Sequence, residues 1–205
     1  MTVGNVYFDR RLTFIIIFCT IVPMLDFYHR FTSHKAYDRF ILYFILPLLV
    51  IWLVFREPVS EYGFRWGNWR AGLAWTAVSS LLMALILYIV ARTPAMQAYY
   101  EIRAPEEIGR LLWLNGLELF AWEFIWRGFM LFGLARILGP GPAILIQAIP
   151  FAFMHLGKPE IETLSTIFGG IGFGFVAWQT NSFIYPWLIH WFIASFTMLI
   201  ALGRI

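Results

Sequence analysis

The chain has 205 residues, of which 60% are hydrophobic, 20% aromatic and only 13% charged. Soluble domains usually carry about 25% charged residues, so this composition excludes an ordinary water-soluble globule. The 15 Lys and Arg against 12 Asp and Glu give a formal charge of +3, which is too small and too scattered for a nucleic-acid-binding surface. The single cysteine, Cys19, excludes an internal disulfide and a cysteine metal cluster.

The hydropathy pattern predicts an all-α fold, a polytopic bundle of transmembrane helices with about seven spans and a range of six to eight. A membrane-spanning helix needs roughly 20 mostly apolar residues, or fewer where flanking Lys and Arg reach the interface. The segments that meet this requirement are residues 12–25, 40–55, 71–91, 111–138, 143–155, 163–179 and 186–202. No linker interrupts them, so we expect one integral, multi-pass membrane domain over residues 1–205.

A polar stretch separates the third and fourth segments. Within it, Ala104-Pro105-Glu106-Glu107 is typical of a helix start, with proline at the first position and acidic residues in the first turn. We therefore expect an interfacial helix there.

Three ionisable residues lie in the middle of the segment 111–138, where a charge costs about 2.5–3.5 kcal/mol on insertion scales. Glu123 and Arg127 are four residues apart and share one helix face, so they can form an ion pair. A pair that only orients helices and a catalytic role are equally compatible with this spacing. Glu118 is either a second carboxylate of the same site or a cap for a neighbouring helix end.

Two histidines, His155 and His190, lie in apolar runs of later segments. A lone histidine on an apolar face is usually a core residue, but two on separate helices that follow the Glu123 helix favour a shared site. In a bundle cavity a carboxylate can take a proton from water while an imidazole donates to a developing oxyanion. The same three groups can also hold zinc or iron.

The order of these residues resembles the CAAX protease and bacteriocin-processing (CPBP) family of intramembrane endopeptidases, which is related to the Ras-converting CAAX protease. The family pattern is two adjacent glutamates with an arginine four positions after the second, then Phe-x-x-x-His, then His-x-x-x-Asn or Asp. Glu123 and Arg127 match the first motif, His155 matches the second and His190 matches the third. The resemblance covers residues 111–202.

Two positions depart from the family pattern. Trp122 stands where the first glutamate is expected, and Ala194 stands where Asn or Asp is expected. The first glutamate usually activates water in the family. Three alternatives follow: Glu123 takes over that role, Glu118 reaches the site from one turn below, or the chain is a non-proteolytic relative.

The resemblance implies hydrolysis of a peptide bond in a membrane-associated peptide or protein, with or without an attached lipid, in a prokaryotic cell membrane. Glu123, helped by Glu118, would activate water. His155 and His190 would position the water and stabilise the oxyanion, and Arg127 would hold the carboxylate helix in place. The resemblance favours a glutamate-type mechanism without a cofactor over a zinc-dependent one.

Two rival functions are compatible with the same residues. One is a catalytically inactive membrane scaffold or partner-binding protein that keeps the fold, which Trp122 and Ala194 permit. The other is a transporter that relays protons through buried Glu and His side chains. The transporter interpretation is weaker, because the hydropathy pattern shows no inverted repeat.

Two further features have structural interpretations. The spacing of Gly170 and Gly174 is typical of membrane helices that pack closely. The family resemblance implies in addition that this helix borders the site. The charged residues that precede the same segment predict a solvated loop between two spans: Lys158, Glu160 and Glu162.

Overall fold

A computed structural model describes residues 2–102 and 107–205, and within these ranges the chain forms an all-α bundle. The two short strands Thr2–Val3 and Val6–Tyr7 pair as an antiparallel hairpin at its start. In chain order the helices are α1 Arg10–Tyr28, α2 Lys35–Phe55, α3 Trp69–Val90, α4 Pro94–Glu101, α5 (Ile108–Glu123, π-helical Phe124–Met130 and Leu131–Leu138, without a break), α6 Pro140–Phe153, α7 Glu160–Thr180 and α8 Ile184–Ala201.

Five of these helices, α1, α2, α3, α7 and α8, are long and apolar enough to cross a membrane, and α6 is a shorter apolar helix. The predicted polytopic all-α bundle is therefore confirmed, while the count of about seven spans stays a prediction. In the polar stretch, α4 ends at Glu101. The helix start expected at residues 104–107 falls mostly outside the described residues.

Short polar residues and glycine define the helix ends. The Asp9 side chain accepts a hydrogen bond from the Leu12 backbone N–H at 2.8 Å and caps α1, and Asn68 caps α3 in the same way. Gly139 has a φ of +80° between α5 and α6, a conformation that side chains other than glycine rarely adopt. Pro140 then begins α6, where its missing N–H costs nothing.

Helix α5 is the centre of the bundle. Residues 121–135 are all buried, and α5 packs against α1, α2, α6 and α8. Such a helix can carry charge at membrane depth because the other helices keep it out of contact with lipid. Its π-helical turn, Phe124–Met130, includes Arg127, and turns of this kind are frequent at functional sites.

The helix pair α6 and α7 packs through the glycines that the spacing singled out. A Cβ atom built on Gly170 would lie 3.0 Å from the Ala148 Cβ, and one on Gly174 would lie 2.5 Å from Gln147 Nε2. The predicted close packing is thus confirmed. Gly169 and Gly172 lie on another face of α7, where an added Cβ meets no atom within 4 Å.

A charged cluster around Glu57 joins α1, the loop after α2 and the end of α5. Glu57 accepts hydrogen bonds from Arg11 at 2.7 and 2.5 Å, from Tyr62 at 2.6 Å and from Arg136 at 2.9 Å. These bonds favour the ionised carboxylate. They lower the pKa of Glu57 to about 2, and the hydrogen bonds from Arg11 are the largest cause of this shift.

This lowered pKa predicts an acid-sensitive contribution to stability. The folded pKa lies below the unfolded value, so the contribution is fully present above the unfolded pKa, about 4.3. It is lost as pH falls from there towards about 2. Thermal unfolding in detergent should show a gap between wild type and Glu57→Gln that is constant at neutral pH and closes over this window. A gap of equal size at pH 2 and pH 7 would contradict the assignment.

Candidate active site

The carboxylate of Glu123 and the guanidinium of Arg127 form an ion pair inside the bundle. Both side chains are fully buried, and Arg127 Nη1 donates to Glu123 Oε1 at 3.1 Å. Removing one member of a buried pair leaves an uncompensated charge, so each residue depends on the other for its place in the core.

Further contacts stabilise the positive charge of Arg127. Arg127 Nη2 donates to the Gly170 carbonyl at 3.4 Å, an oxygen that Gln147 Nε2 also binds at 2.8 Å. The guanidinium carbon lies 3.9 Å from the centre of the Phe151 ring and 5.2 Å from that of Phe173. Rings at these distances attract a cation, most strongly where water is excluded.

His190, on α8, contacts the same carboxylate. Its Nδ1 lies 2.7 Å from Glu123 Oε1, and the two residues are 67 positions apart in the chain. An ionised carboxylate can accept hydrogen bonds but cannot donate them. His190 Nδ1 therefore carries the proton, and Nε2 carries the lone pair of the neutral ring. Glu123 thereby fixes both the orientation and the tautomer of His190.

His155 is held in a similar way in the turn after α6. Its Nδ1 lies 2.8 Å from the Phe151 carbonyl oxygen, which only accepts, so in the neutral ring its Nε2 also carries the lone pair. The centres of the His155 and His190 rings are 6.3 Å apart. The structure thus brings Glu123, Arg127, His155 and His190 into one cluster.

Both histidines line a cavity of about 570 Å³ between α3, α7 and α8. Its wall is mostly apolar, with side chains such as Leu82, Ile86 and Phe168, and it includes Gly169 and Gly172. Glu123 lies behind His190 and is fully buried, so His190 is the ring that connects the buried carboxylate to the cavity.

The solvated loop predicted for Lys158, Glu160 and Glu162 is partly wrong. Glu160 and Glu162 belong to the first turn of α7 and do not form a loop. Lys158 Nζ binds Glu162 at 2.5 Å, and both side chains line the histidine cavity. The physical reason is local, because acidic residues favour a helix start and residues four apart can pair.

Glu118 lies in a different environment from the histidines. It forms an ion pair with Arg39 of α2, and Arg39 Nε donates to Asp26 Oδ2 at 3.0 Å. Trp122 stands between Arg39 and the histidines, since the Arg39 guanidinium lies over its ring at 4.6 Å and the His155 ring is nearly perpendicular to it, with the ring centres 5.9 Å apart. The structure therefore does not place Glu118 with the histidine pair.

Several hydrogen-bond and ion-pair partners of the site residues could not be predicted from the sequence. They are the backbone carbonyls of Phe151 and Gly170, the side chain of Gln147, and Arg39. The spacing of Phe151 and His155 was visible as a motif, but the bond from the ring to the carbonyl was not. Carbonyl groups occur at every position, so only the fold shows which of them faces a polar side chain.

Metal binding has only partial support from the geometry. Within residues 2–102 and 107–205, no three His, Cys, Asp or Glu side chains are grouped so as to hold a metal ion. The Nδ1 bonds of His155 and His190 do resemble those that orient metal-binding histidines.

Comparison with known proteins gives one match. Residues 104–196 match the family model described as Rce1-like, type II CAAX prenyl endopeptidase Rce1-like. The matched region includes every residue of the cluster, from Glu123 to His190. No curated protein and no solved structure matches the chain significantly.

The buried pair predicts a large effect of removing Arg127. Arg127→Met should lower the free energy of unfolding by about 3–5 kcal/mol, because it leaves the Glu123 charge buried without its counter-ion. Arg136→Met is the matched control. Arg136 is partly exposed in its ion pairs with Glu57 and Glu61, and its loss should cost about 1 kcal/mol or less. Denaturant unfolding in one detergent measures both values, and equal losses would argue against a buried pair.

Proposed function

We propose that the protein is an intramembrane endopeptidase, because residues 104–196 match the Rce1-like family model of type II CAAX prenyl endopeptidases. The substrate class is a membrane-associated peptide or protein, with or without an attached lipid, and the setting is the lipid bilayer of a prokaryotic cell membrane. One observation carries the proposal most directly: Glu123 holds a histidine that lines a cavity shared with a second histidine.

The proposed base is the pair formed by Glu123 and His190. With Nδ1 protonated towards Glu123, the His190 Nε2 lone pair is free to take a proton from water. The negative charge of Glu123 then stabilises the imidazolium that forms, as a buried carboxylate does in other hydrolases. In this assignment Glu123 acts on the water through His190.

The proposed nucleophile is one water held between the histidines. Because each neutral ring presents a lone pair at Nε2, such a water can donate one hydrogen to His190 and the other to His155, which leaves its oxygen free to attack. The water oxygen forms a bond to the carbonyl carbon while one proton moves to His190 Nε2. That proton is then delivered to the leaving amine nitrogen as the peptide C–N bond breaks.

Arg127 is a positioning residue in this proposal. It contacts Glu123 from the side of the core, and its contacts with Gly170 and Phe151 fix it there. The apolar cavity would hold a hydrophobic part of the substrate next to the histidines. Binding that part correctly would place the scissile bond near the reacting water.

The inactive membrane scaffold is the second candidate, because Trp122 and Ala194 occupy positions where the family has polar residues. Trp122 packs between Arg39 and His155, and Ala194 lines the cavity without a polar group. A scaffold would keep this fold and lack hydrolysis altogether.

Substitution of the proposed base separates these two candidates. Glu123→Gln and His190→Ala should each lower kcat by about 10²–10⁴-fold, and the double variant should lose little more, because the two residues act as one unit. Glu118→Gln should cost much less than Glu123→Gln, since Glu118 binds Arg39. The assay follows cleavage of a prenylated CAAX-type peptide in lipid vesicles.

The matched control is Glu160→Gln, which removes an exposed carboxylate from the first turn of α7 and should leave turnover unchanged. Normal cleavage by folded Glu123→Gln would rule out a glutamate-dependent base. Complete absence of cleavage by the wild-type protein across CAAX-type peptides would favour the scaffold.

The glutamate-type mechanism also predicts independence from metal. Purified active protein should contain no stoichiometric zinc and should keep its cleavage rate after treatment with a chelator. Elemental analysis and the same cleavage assay check both points. Stoichiometric zinc, together with activity that is lost on chelation and restored by zinc, would overturn this assignment in favour of His155 and His190 as metal ligands.

A further inference from the structure

A second cavity, of about 490 Å³, shares no lining residue with the histidine cavity. Most of its wall is one face of α5 together with the residue that precedes this helix, and residues three or four apart follow one another there: Glu107, Arg110, Leu111, Leu114, Asn115 and Glu118. His34 and Met198 complete the wall. We call this cavity the polar cleft, because five of these eight side chains are polar or charged.

The inner end of the polar cleft lies well along α5 from its first residue. Glu118 is ten residues from the start of α5 at Ile108, about 15 Å along the helix axis. Its side chain is 24% exposed, and that of its partner Arg39 is 13% exposed. Ionisable side chains in a membrane bundle face water or protein and avoid lipid. The Glu118 side chain lines the cleft, so its exposed part faces this polar space.

Trp122 lies between Arg39, the ion-pair partner of Glu118, and His155 of the histidine cavity. It is one turn after Glu118 on α5, with the Arg39 guanidinium over its ring and the His155 ring nearly perpendicular to its own. Among the described residues, no acceptor binds its buried Nε1. An unpaired N–H at this position is a natural partner for a water molecule that moves between the two cavities.

We propose that the polar cleft is filled with water and that it supplies the histidine cavity past Trp122. The first half of this inference stands without the proposed function, because it depends only on the polar lining of the cleft and on the partly exposed Glu118 at its inner end. The second half rests on the proposed function, since only a hydrolase consumes water at the histidines. Most of the wall of the histidine cavity is apolar, whereas the polar cleft offers a route lined mainly by polar side chains.

Cysteine labelling tests the first half in the full chain in lipid vesicles. The natural Cys19 is buried and gives a silent background. Asn115→Cys places a thiol in the cleft. Trp113→Cys, two residues away, places a thiol outside the cleft, at a position where the native residue is 65% exposed. A charged, membrane-impermeant methanethiosulfonate reacts with the thiolate, which forms in water and not in lipid. We expect the Asn115→Cys rate to be at least tenfold higher.

Asn115 also donates a long hydrogen bond to Ser195, at 3.4 Å, and its loss could affect folding. A second cleft variant therefore serves as a control. Met198→Cys reaches the cleft from α8 and should label at a similar rate. Rates for both cleft variants as slow as that of Trp113→Cys would overturn the water-filled cleft.

Cleavage by the labelled proteins tests the second half. The adduct on Asn115→Cys fills part of the cleft, so we expect cleavage at least several-fold slower than before labelling. Labelled Trp113→Cys should be unaffected. Full activity after complete labelling in the cleft would overturn the supply route. Absence of cleavage by the unlabelled wild type would refute the proposed function instead, and the labelling rates would still decide the cleft.

Discussion

The bundle depends on the burial of one ion pair in its central helix. A guanidinium stays charged at any accessible pH and cannot face hydrocarbon unpaired, so Arg127 requires Glu123 and a shell of protein around both. The surrounding helices provide that shell through the Gly170 carbonyl and the rings of Phe151 and Phe173. Because α6, α7 and α8 must all meet at this pair, His155 and His190 are brought to the same place.

The central helix α5 carries two acidic residues, Glu123 and Glu118, whose surroundings differ in polarity. Glu123 faces the side of the histidines, where the wall of the cavity is mostly apolar. Glu118 faces Arg39 and a polar cleft. Trp122 lies between them, at the position where the sequence resemblance leads us to expect a glutamate. An aromatic ring there lies between the two surroundings, and its face also binds the Arg39 cation.

The sequence alone determined those features that depend on neighbours along the chain. The apolar segments predicted the membrane helices, because the bilayer sets their length whatever the tertiary fold. Spacing of four residues predicted the contact between Glu123 and Arg127, and the spacing of Gly170 and Gly174 predicted the close packing of α7. Helix geometry alone places such residues on one face, so these inferences need no knowledge of other elements.

Only the tertiary structure decided which distant residues meet. Glu118 is 79 positions from Arg39, and nothing in the helical period of either segment relates them. The tautomers of His155 and His190 also depend on acceptors that the fold supplies, a carbonyl one turn earlier for His155 and a carboxylate on another helix for His190. Periodicity assigns a side chain to a face, but the neighbour of that face follows from how all the helices pack together.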